Sequence, residues 1–183
     1  VNASSSSVYG KPVYLPLDED HPKNPDSPYA CSKLAAELYC NAFHRCYGLP
    51  VVNLRYFSVY GPRQRPDLVI TSFARRLSQG RKPVIYGDGS QTRDFTYVTD
   101  IVEGTIRAAF AGEVEGQTFN LGKGEQTDIA TLYRMMASLL GVRMEPEYRP
   151  PYAGDFPHTK ADITKAMKLL GYQPKVPIAE GLK

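Results

Sequence analysis

Apolar positions along the chain fall into short runs and longer periodic stretches, separated by Gly- and Pro-rich breaks. Val1 to Ser6 reads as the end of a buried strand running into a polar turn, and Lys11 to Pro28 as a long Pro-rich loop. Loops of that length inside a domain are usually functional. Ser27–Tyr47 has the spacing of a helix, with Ser27 as cap, Pro28 in the first turn and Gly48 as the stop. Leu49–Phe57 is a short apolar strand of the parallel-sheet kind, broken by Tyr60-Gly61-Pro62. Beyond it, the pattern predicts a helix over Ile70–Gln79, a strand over Pro83–Tyr86, a turn at Gly87-Asp88-Gly89 and a strand over Phe95–Val98. Asp100 with Glu103 three residues on has the form of a capping box opening the next helix. Gln117–Leu121 is a further strand, and Asp128–Leu140 and Ala161–Leu170 are helices stopped by Gly141 and Gly171. Strands alternating with helices place the chain in the α/β class.

Composition narrows this picture. The 183 residues suffice for one domain, or a domain plus a lobe. At 42% hydrophobic and 22% charged the chain is globular, with no apolar run long enough to cross a membrane and no signal-peptide pattern at Val1-Asn2-Ala3-Ser4. Cys31, Cys40 and Cys46 all lie in one predicted helix with no CxxC pair or His cluster, which suggests reduced thiols in a cytoplasmic protein and no metal site. A net charge of +3 is too mild and dispersed for a nucleic-acid partner and is compatible with an anionic small-molecule substrate.

The chemistry is concentrated at Ser27-Pro28-Tyr29-Ala30-Cys31-Ser32-Lys33. Tyr29 and Lys33 stand one helical turn apart, on one face. An ammonium there stabilises a phenolate and lowers the tyrosine pKa. A free tyrosine, with a pKa of about 10, is a poor base at neutral pH; bringing it down to about 7 is worth about 4 kcal/mol. The pair is therefore a candidate general acid/base, although by itself it reads more readily as part of an amphipathic helix with an exposed lysine.

Five further motifs follow in order around it. Ser4-Ser5-Ser6-Ser7-Val8-Tyr9-Gly10 precedes the helix, and Leu54-Arg55-Tyr56-Phe57-Ser58-Val59-Tyr60-Gly61-Pro62, Gln91-Thr92-Arg93-Asp94-Phe95-Thr96-Tyr97-Val98, Phe119-Asn120-Leu121-Gly122 and Gly154-Asp155 come after it. Over nearly its whole length the chain resembles the extended short-chain dehydrogenase/reductase family, specifically its NAD-dependent nucleotide-sugar epimerases and dehydratases. The resemblance implies the C-terminal portion of a Rossmann-like, doubly wound parallel sheet over residues 1–62. Residues 63–183 would be mostly a smaller substrate lobe, with some segments returning to the sheet. It also implies an NAD cofactor, a UDP-sugar substrate and a homodimer. By the same resemblance Ser5, four residues before Tyr9, forms a catalytic triad with Tyr29 and Lys33, while Ser4, Tyr29, Lys33 and Phe57 contact the cofactor. The substrate would meet Ser5, Ser58, Val84, Tyr86, Arg93, Asn120 and Asp155, with Arg93 gripping the diphosphate through its guanidinium fork. Val84, Ile85 and Tyr86 read nearly as well as strand core, and Arg63 and Arg65 read equally as charges approaching the phosphates or a sugar carboxylate and as solvated loop charges. Two positions depart from the family pattern. Ser58 replaces a common Asn, and Tyr152 stands where many members have Arg, with Arg149 as a neighbouring substitute.

The residues after Ser5 bear on the reaction. Dehydratases and UDP-glucuronate decarboxylases of this group carry an acid there, since dehydration needs a proton delivered to the leaving hydroxyl. Ser6 and Ser7 cannot supply it. The resemblance thus implies 4-epimerisation of UDP-glucose/UDP-galactose or UDP-glucuronate by transient oxidation at C4. A dehydratase or decarboxylase is the alternative within the group, and a non-catalytic nucleotide-sugar sensor the alternative outside it. The family's glycine-rich phosphate loop has no counterpart among these residues, and Gly87-Asp88-Gly89 is too short. The chain is accordingly expected to be the C-terminal portion of a longer enzyme, to bind NAD weakly or not at all by itself, and to be inactive alone.

Overall fold

A computed structural model describes residues 1–151 and 156–183. Its centre is a parallel sheet of three strands, β1 (Asn2–Ser5), β2 (Asn53–Tyr56) and β7 (Thr118–Leu121), in the order β1-β2-β7. The register pairs Ser4 with Arg55 and Arg55 with Asn120. Helix α1 (Pro28–Tyr47) makes the crossover from β1 to β2 and packs on β1.

The two faces of this sheet differ in chemistry. Leu54, Phe119 and Leu121 join Ile101, Ala108, Ala166 and Tyr172 in an apolar core. Those partners come from α3 (Val98–Phe110), α5 (Thr164–Leu170) and the segment after it. On the α1 side the alternate residues are polar: Ser4, Asn53, Arg55 and Asn120, all buried. Buried parallel strands usually read as near-continuous hydrophobic runs, so a polar face must be hydrogen-bonded to be tolerated.

The remaining elements build a second core. Strand β3 (Ser58–Tyr60) follows β2 after Phe57 and pairs in parallel with β6 (Phe95–Tyr97). Short ladders join β4 (Val84–Tyr86) to β9 (Glu147–Arg149) and β5 (Thr92–Arg93) to β8 (Thr127–Asp128). Helices α2 (Val69–Ser78) and α4 (Ile129–Leu139) enclose Tyr60, Phe73, Ile85, Phe95, Leu132 and Met136. A third cluster, Val8, Tyr9, Leu17, Phe57 and Ala161, fastens the long loop after Gly10. At Gly10, with φ of 65°, a Cβ would lie 1.8 Å from the Asn24 carbonyl oxygen, so only glycine lets the loop fold back there. A final turn of helix, α6 (Ile178–Gly181), ends the fold.

Three local expectations are corrected. Asp100 does not cap its helix: α3 starts at Val98 after Tyr97, and the buried Asp100 carboxylate accepts from the Lys175 and Val176 backbone N–H groups, 3.0 Å from each. Its place in the first turn still suits the helix dipole. Glu103 pairs with Arg107 instead. The last long helix begins at Thr164, because Ala161 is drawn into a bridge with Leu17 and donates its N–H to Asp94 Oδ2. Tyr60 ends a strand that continues past Phe57, in a different sheet from β2.

Candidate active site

The start of α1 is built as its residues dictate. Ser27 Oγ accepts from the Ala30 N–H at 3.1 Å, Pro28 occupies the first turn, and Gly48 closes the helix in the left-handed region. Tyr29, Lys33, Glu37 and Asn41 then follow at four-residue intervals, and the last three are each tied to the sheet. Lys33 Nζ donates to the Ala3 carbonyl oxygen at 2.8 Å. Glu37 Oε1 accepts from Ser4 Oγ, and both its oxygens accept from Arg55. Asn41 Oδ1 accepts from Asn53 Nδ2, and Asn53 Oδ1 accepts from Asn2 Nδ2. Asn41 thus lies level with the start of β1 and Glu37 further along it, so the helix runs back antiparallel to the strand. Its first turns therefore reach the end of β1, where Ser5 sits.

At that end Lys33 Nζ lies 5.7 Å from the centroid of the Tyr29 ring, a cation–π distance. Tyr29 is 55% exposed and open to a ligand, while Lys33 is half-buried. Ser5 caps a single 3-10 turn, Ser6–Tyr9, and its Oγ accepts from the Ser7 N–H at 3.2 Å and the Ser7 hydroxyl at 3.0 Å. Its own proton is left to donate elsewhere. These groups gather at the carboxyl edge of parallel strands, where α/β sheets bind ligands.

The other expected cofactor residues turn away from this edge. Ser4 is buried and spends its hydroxyl on Glu37, and Phe57 is buried against Val8, Tyr9 and Leu17.

Val84, Tyr86 and Arg93, expected to meet the substrate, come together. They line one cavity of about 290 Å³ with Asp67, Ser72, Arg76 and Gln91. Arg93 Nη1 also donates to the Thr92 carbonyl oxygen. Beside Arg93, Asp94 is buried and accepts from the N–H groups of Lys123, Gly124 and Ala161 and from the Thr96 hydroxyl, a set that pins β6 to the chain after β7. Burial pushes its carboxyl up, against the pull of those donors. Arg65 pairs with Asp67 at the cavity edge, and Arg149, opposite Tyr86 in the β4–β9 ladder, pairs with Glu147. Ser58 opens β3, with its N–H donated to the Asp94 carbonyl oxygen.

Asn120 requires correction. Expected in the substrate cleft, it is completely buried: its Oδ1 accepts from the Tyr9 hydroxyl at 2.6 Å, and its Nδ2 donates to the Leu17 and Asp162 carbonyl oxygens. A polar residue in an apolar strand can serve a cleft or a buried network; here it serves the network. Asp155, and Tyr152 with it, lie outside the described residues.

The sequence reading missed Glu37, Arg55 and Asp94. Two signals were available: Glu37 stands one turn beyond Lys33 on the same helix face, and Arg55 is a lone charge inside an apolar strand. Arg55 carries the network onward, donating to the Tyr9 hydroxyl at 2.9 Å and the Glu19 carbonyl oxygen at 3.1 Å. Burial pushes the Tyr9 phenol up to about 12, although Arg55 beside it pulls the other way.

Comparison with known proteins agrees with this architecture. The family model for GDP-mannose 4,6 dehydratase matches residues 1–183. A UDP-glucose 4-epimerase of Mycolicibacterium smegmatis is 42% identical over 184 residues, covering 98% of this chain and 58% of the relative. A UDP-glucuronate 4-epimerase of Thermodesulfobacterium geofontis is 40% identical over 187 residues, covering 100% of this chain and 56% of the relative. The crystal structure of UDP-glucuronic acid 4-epimerase from Bacillus cereus, in complex with UDP-glucuronic acid and NAD, superposes with a TM-score of 0.94 at 38% identity, over 98% of this chain and 57% of that one. The chain thus spans a little over half the length of these relatives. Matched by the family model over all its residues, the chain belongs to the GDP-mannose 4,6 dehydratase family, among the nucleotide-sugar epimerases and dehydratases of the extended short-chain dehydrogenase/reductase group.

Proposed function

We propose that this chain is part of an NAD-dependent 4-epimerase acting on a UDP-sugar of the glucose/galactose or glucuronate type. The observation that carries the reading is the placement of Lys33, its ammonium held between the Ala3 carbonyl oxygen and the open Tyr29 ring at the end of the strand that terminates in Ser5. Support for the substrate class comes from the cavity shared by Val84, Tyr86 and Arg93, and from the UDP-sugar 4-epimerases to which the chain is similar.

The residues present fit the nicotinamide-ribose end of NAD, with half-buried Lys33 and exposed Tyr29 at the carboxyl edge of β1. When bound, NAD supplies the acceptor and then the donor of hydride at C4. Tyr29 takes the proton of the sugar 4-hydroxyl and later returns one, with the Lys33 ammonium beside its ring. Ser5, its oxygen engaged by Ser7, donates its proton to the sugar oxygen and holds it in place. Arg93 grips the diphosphate, while Val84 and Tyr86 flank the base. Ser58 stands beside the strand end as a further polar contact, and Asp155 is proposed for the substrate from the family pattern. Ser6 and Ser7 offer no carboxyl for dehydration.

In this reading residues 1–62, with β7, α3 and α5 returning to the sheet, make the dinucleotide-binding portion, and most of 63–183 makes the substrate lobe. Three free cysteines support a cytoplasmic setting, and the exposed Leu38, Tyr39, Phe43 and Tyr47 on the outer face of α1 support a homodimer. Among the described residues no helix is long and apolar enough to cross a membrane.

The test is turnover by the full-length protein of UDP-glucose and UDP-glucuronate with NAD, followed by NMR at C4. Inversion at C4 is expected, and Tyr29→Phe should reduce it by about 100-fold or more. Near-normal epimerisation by Tyr29→Phe would sink the assignment, a 4-keto-6-deoxy product would turn it to a dehydratase, and binding without turnover would turn it to a sensor.

A further inference from the structure

The buried polar network behind the triad does not touch the open face of Tyr29, yet it is built around the helix that carries it. Glu37 is 2% exposed and lies one turn beyond Lys33 and two beyond Tyr29. Its carboxylate receives Ser4 Oγ from β1 and both Nε and Nη2 of Arg55 from β2. Ser4 immediately precedes Ser5. Arg55 continues through the Tyr9 hydroxyl to Asn120 on β7. One side chain of α1 is thereby joined to all three strands of the central sheet, and directly to the backbone unit that ends in Ser5.

A purely apolar interface would hold α1 on the sheet as firmly or more so, since replacing a buried ion pair by well-packed hydrophobic residues is often neutral or stabilising. An apolar interface, held by a non-directional force, tolerates small shifts of the helix. A bidentate pair with a third donor does not, because a small displacement strands a buried charge. The energetic logic of the network is therefore positional.

We infer that Glu37 is a positioning residue: seated on Arg55 of β2, it fixes the axial position and rotation of α1 against β1 through the hydrogen bond it accepts from Ser4, and so the spacing between Ser5 and the Tyr29–Lys33 pair. This rests on the epimerase reading above, and the test separates the two. In the full-length, NAD-loaded protein, Ser4→Ala removes one hydroxyl and leaves the Arg55–Glu37 pair whole. Its kcat should fall by about tenfold or more, given that a displacement of about 1 Å can cost about 100-fold. KM should stay within about twofold, because Val84, Tyr86 and Arg93 lie on other elements. In a Tyr29→Phe background the same change should alter turnover by less than about twofold, since the group being positioned is already gone. Equal losses in both backgrounds, or a lowered Tm with unchanged kcat, overturn the inference. Amide hydrogen exchange is read in parallel and needs no turnover: Ser4→Ala should speed exchange in the first turns of α1 and leave α3 unaltered. If the unaltered protein epimerises no UDP-sugar, the functional reading is what fails. Glu37 is then decided by exchange alone, and unchanged exchange in α1 refutes its role.

Discussion

Arg55 and Glu37, each 2% exposed, meet through two N–H···O bonds of 2.9 and 2.8 Å across the interface between β2 and α1. Removing one partner leaves the other charge buried and uncompensated. Arg55→Met should therefore lower the unfolding free energy by about 3–5 kcal/mol, measured by denaturant titration. The double replacement Arg55→Met with Glu37→Met should recover most of that loss, because no charge is then stranded. A single variant as stable as the parent would mean that water already reaches the pair.

Lys33 has two partners, the Ala3 carbonyl oxygen and the Tyr29 ring, and both are lost in Lys33→Met. The side chain is only half-buried, so the expected stability change is small, within about 1 kcal/mol. The expected catalytic loss is about 100-fold or more in kcat, in the range of general acid–base contributions. Loss of folding with retained specific activity would assign Lys33 to structure alone.

Much of this site could be read along the chain, and the reason is local. The Ser27 cap, Pro28 and Gly48 act within one turn of the helix ends they define, and the Tyr29–Lys33 pair is a consequence of helical pitch. What could not be read is what depends on distant partners. Glu37 finds Arg55 eighteen positions away on a separate element. Asp100 had the local form of a cap, but folding brings it the unpaired N–H groups of Lys175 and Val176. Asn120 gives no sign in its own neighbourhood that Tyr9, Leu17 and Asp162 would enclose it. The passage from β2 to β3 at Phe57 has no Gly or Pro to mark the change of sheet.

Buried phenols give the fold an alkaline limit. Burial pushes Tyr9 and Tyr60 up to about 12 and raises Tyr172 as well. These are acids whose folded pKa exceeds the unfolded value of about 10, so the native state holds more protons between those two points. Their contribution to stability is complete below about pH 10 and lost as pH rises toward 12, by about 2–3 kcal/mol for each of Tyr9 and Tyr60. Denaturation midpoints should fall steeply over that window, and phenolate absorbance should show these tyrosines titrating only with unfolding. Tyr60 adds a sharper case. Its hydroxyl is buried and has no hydrogen-bond partner among the described residues. Tyr60→Phe should therefore stabilise the protein by about 1–3 kcal/mol at neutral pH and flatten the alkaline decline. A destabilised variant would point to a buried water on that hydroxyl.

Variants of Arg93 can separate binding from chemistry. It shares a cavity with Val84 and Tyr86 on elements distinct from α1 and β1, and its strand is held by the buried Asp94 next to it. If its guanidinium grips the diphosphate, that contact is the same in the ground state and the transition state, because the phosphates do not react. Uniform binding of that kind appears in KM and not in kcat. Arg93→Met should raise KM for a UDP-sugar by about 10- to 100-fold, the loss of a charge-assisted contact, and leave kcat within about threefold. Arg93→Lys should recover only part of it, since an ammonium lacks the planar fork. Steady-state kinetics with both variants is the measurement, and a fall in kcat at unchanged KM would move Arg93 from the substrate's phosphates to the reacting sugar.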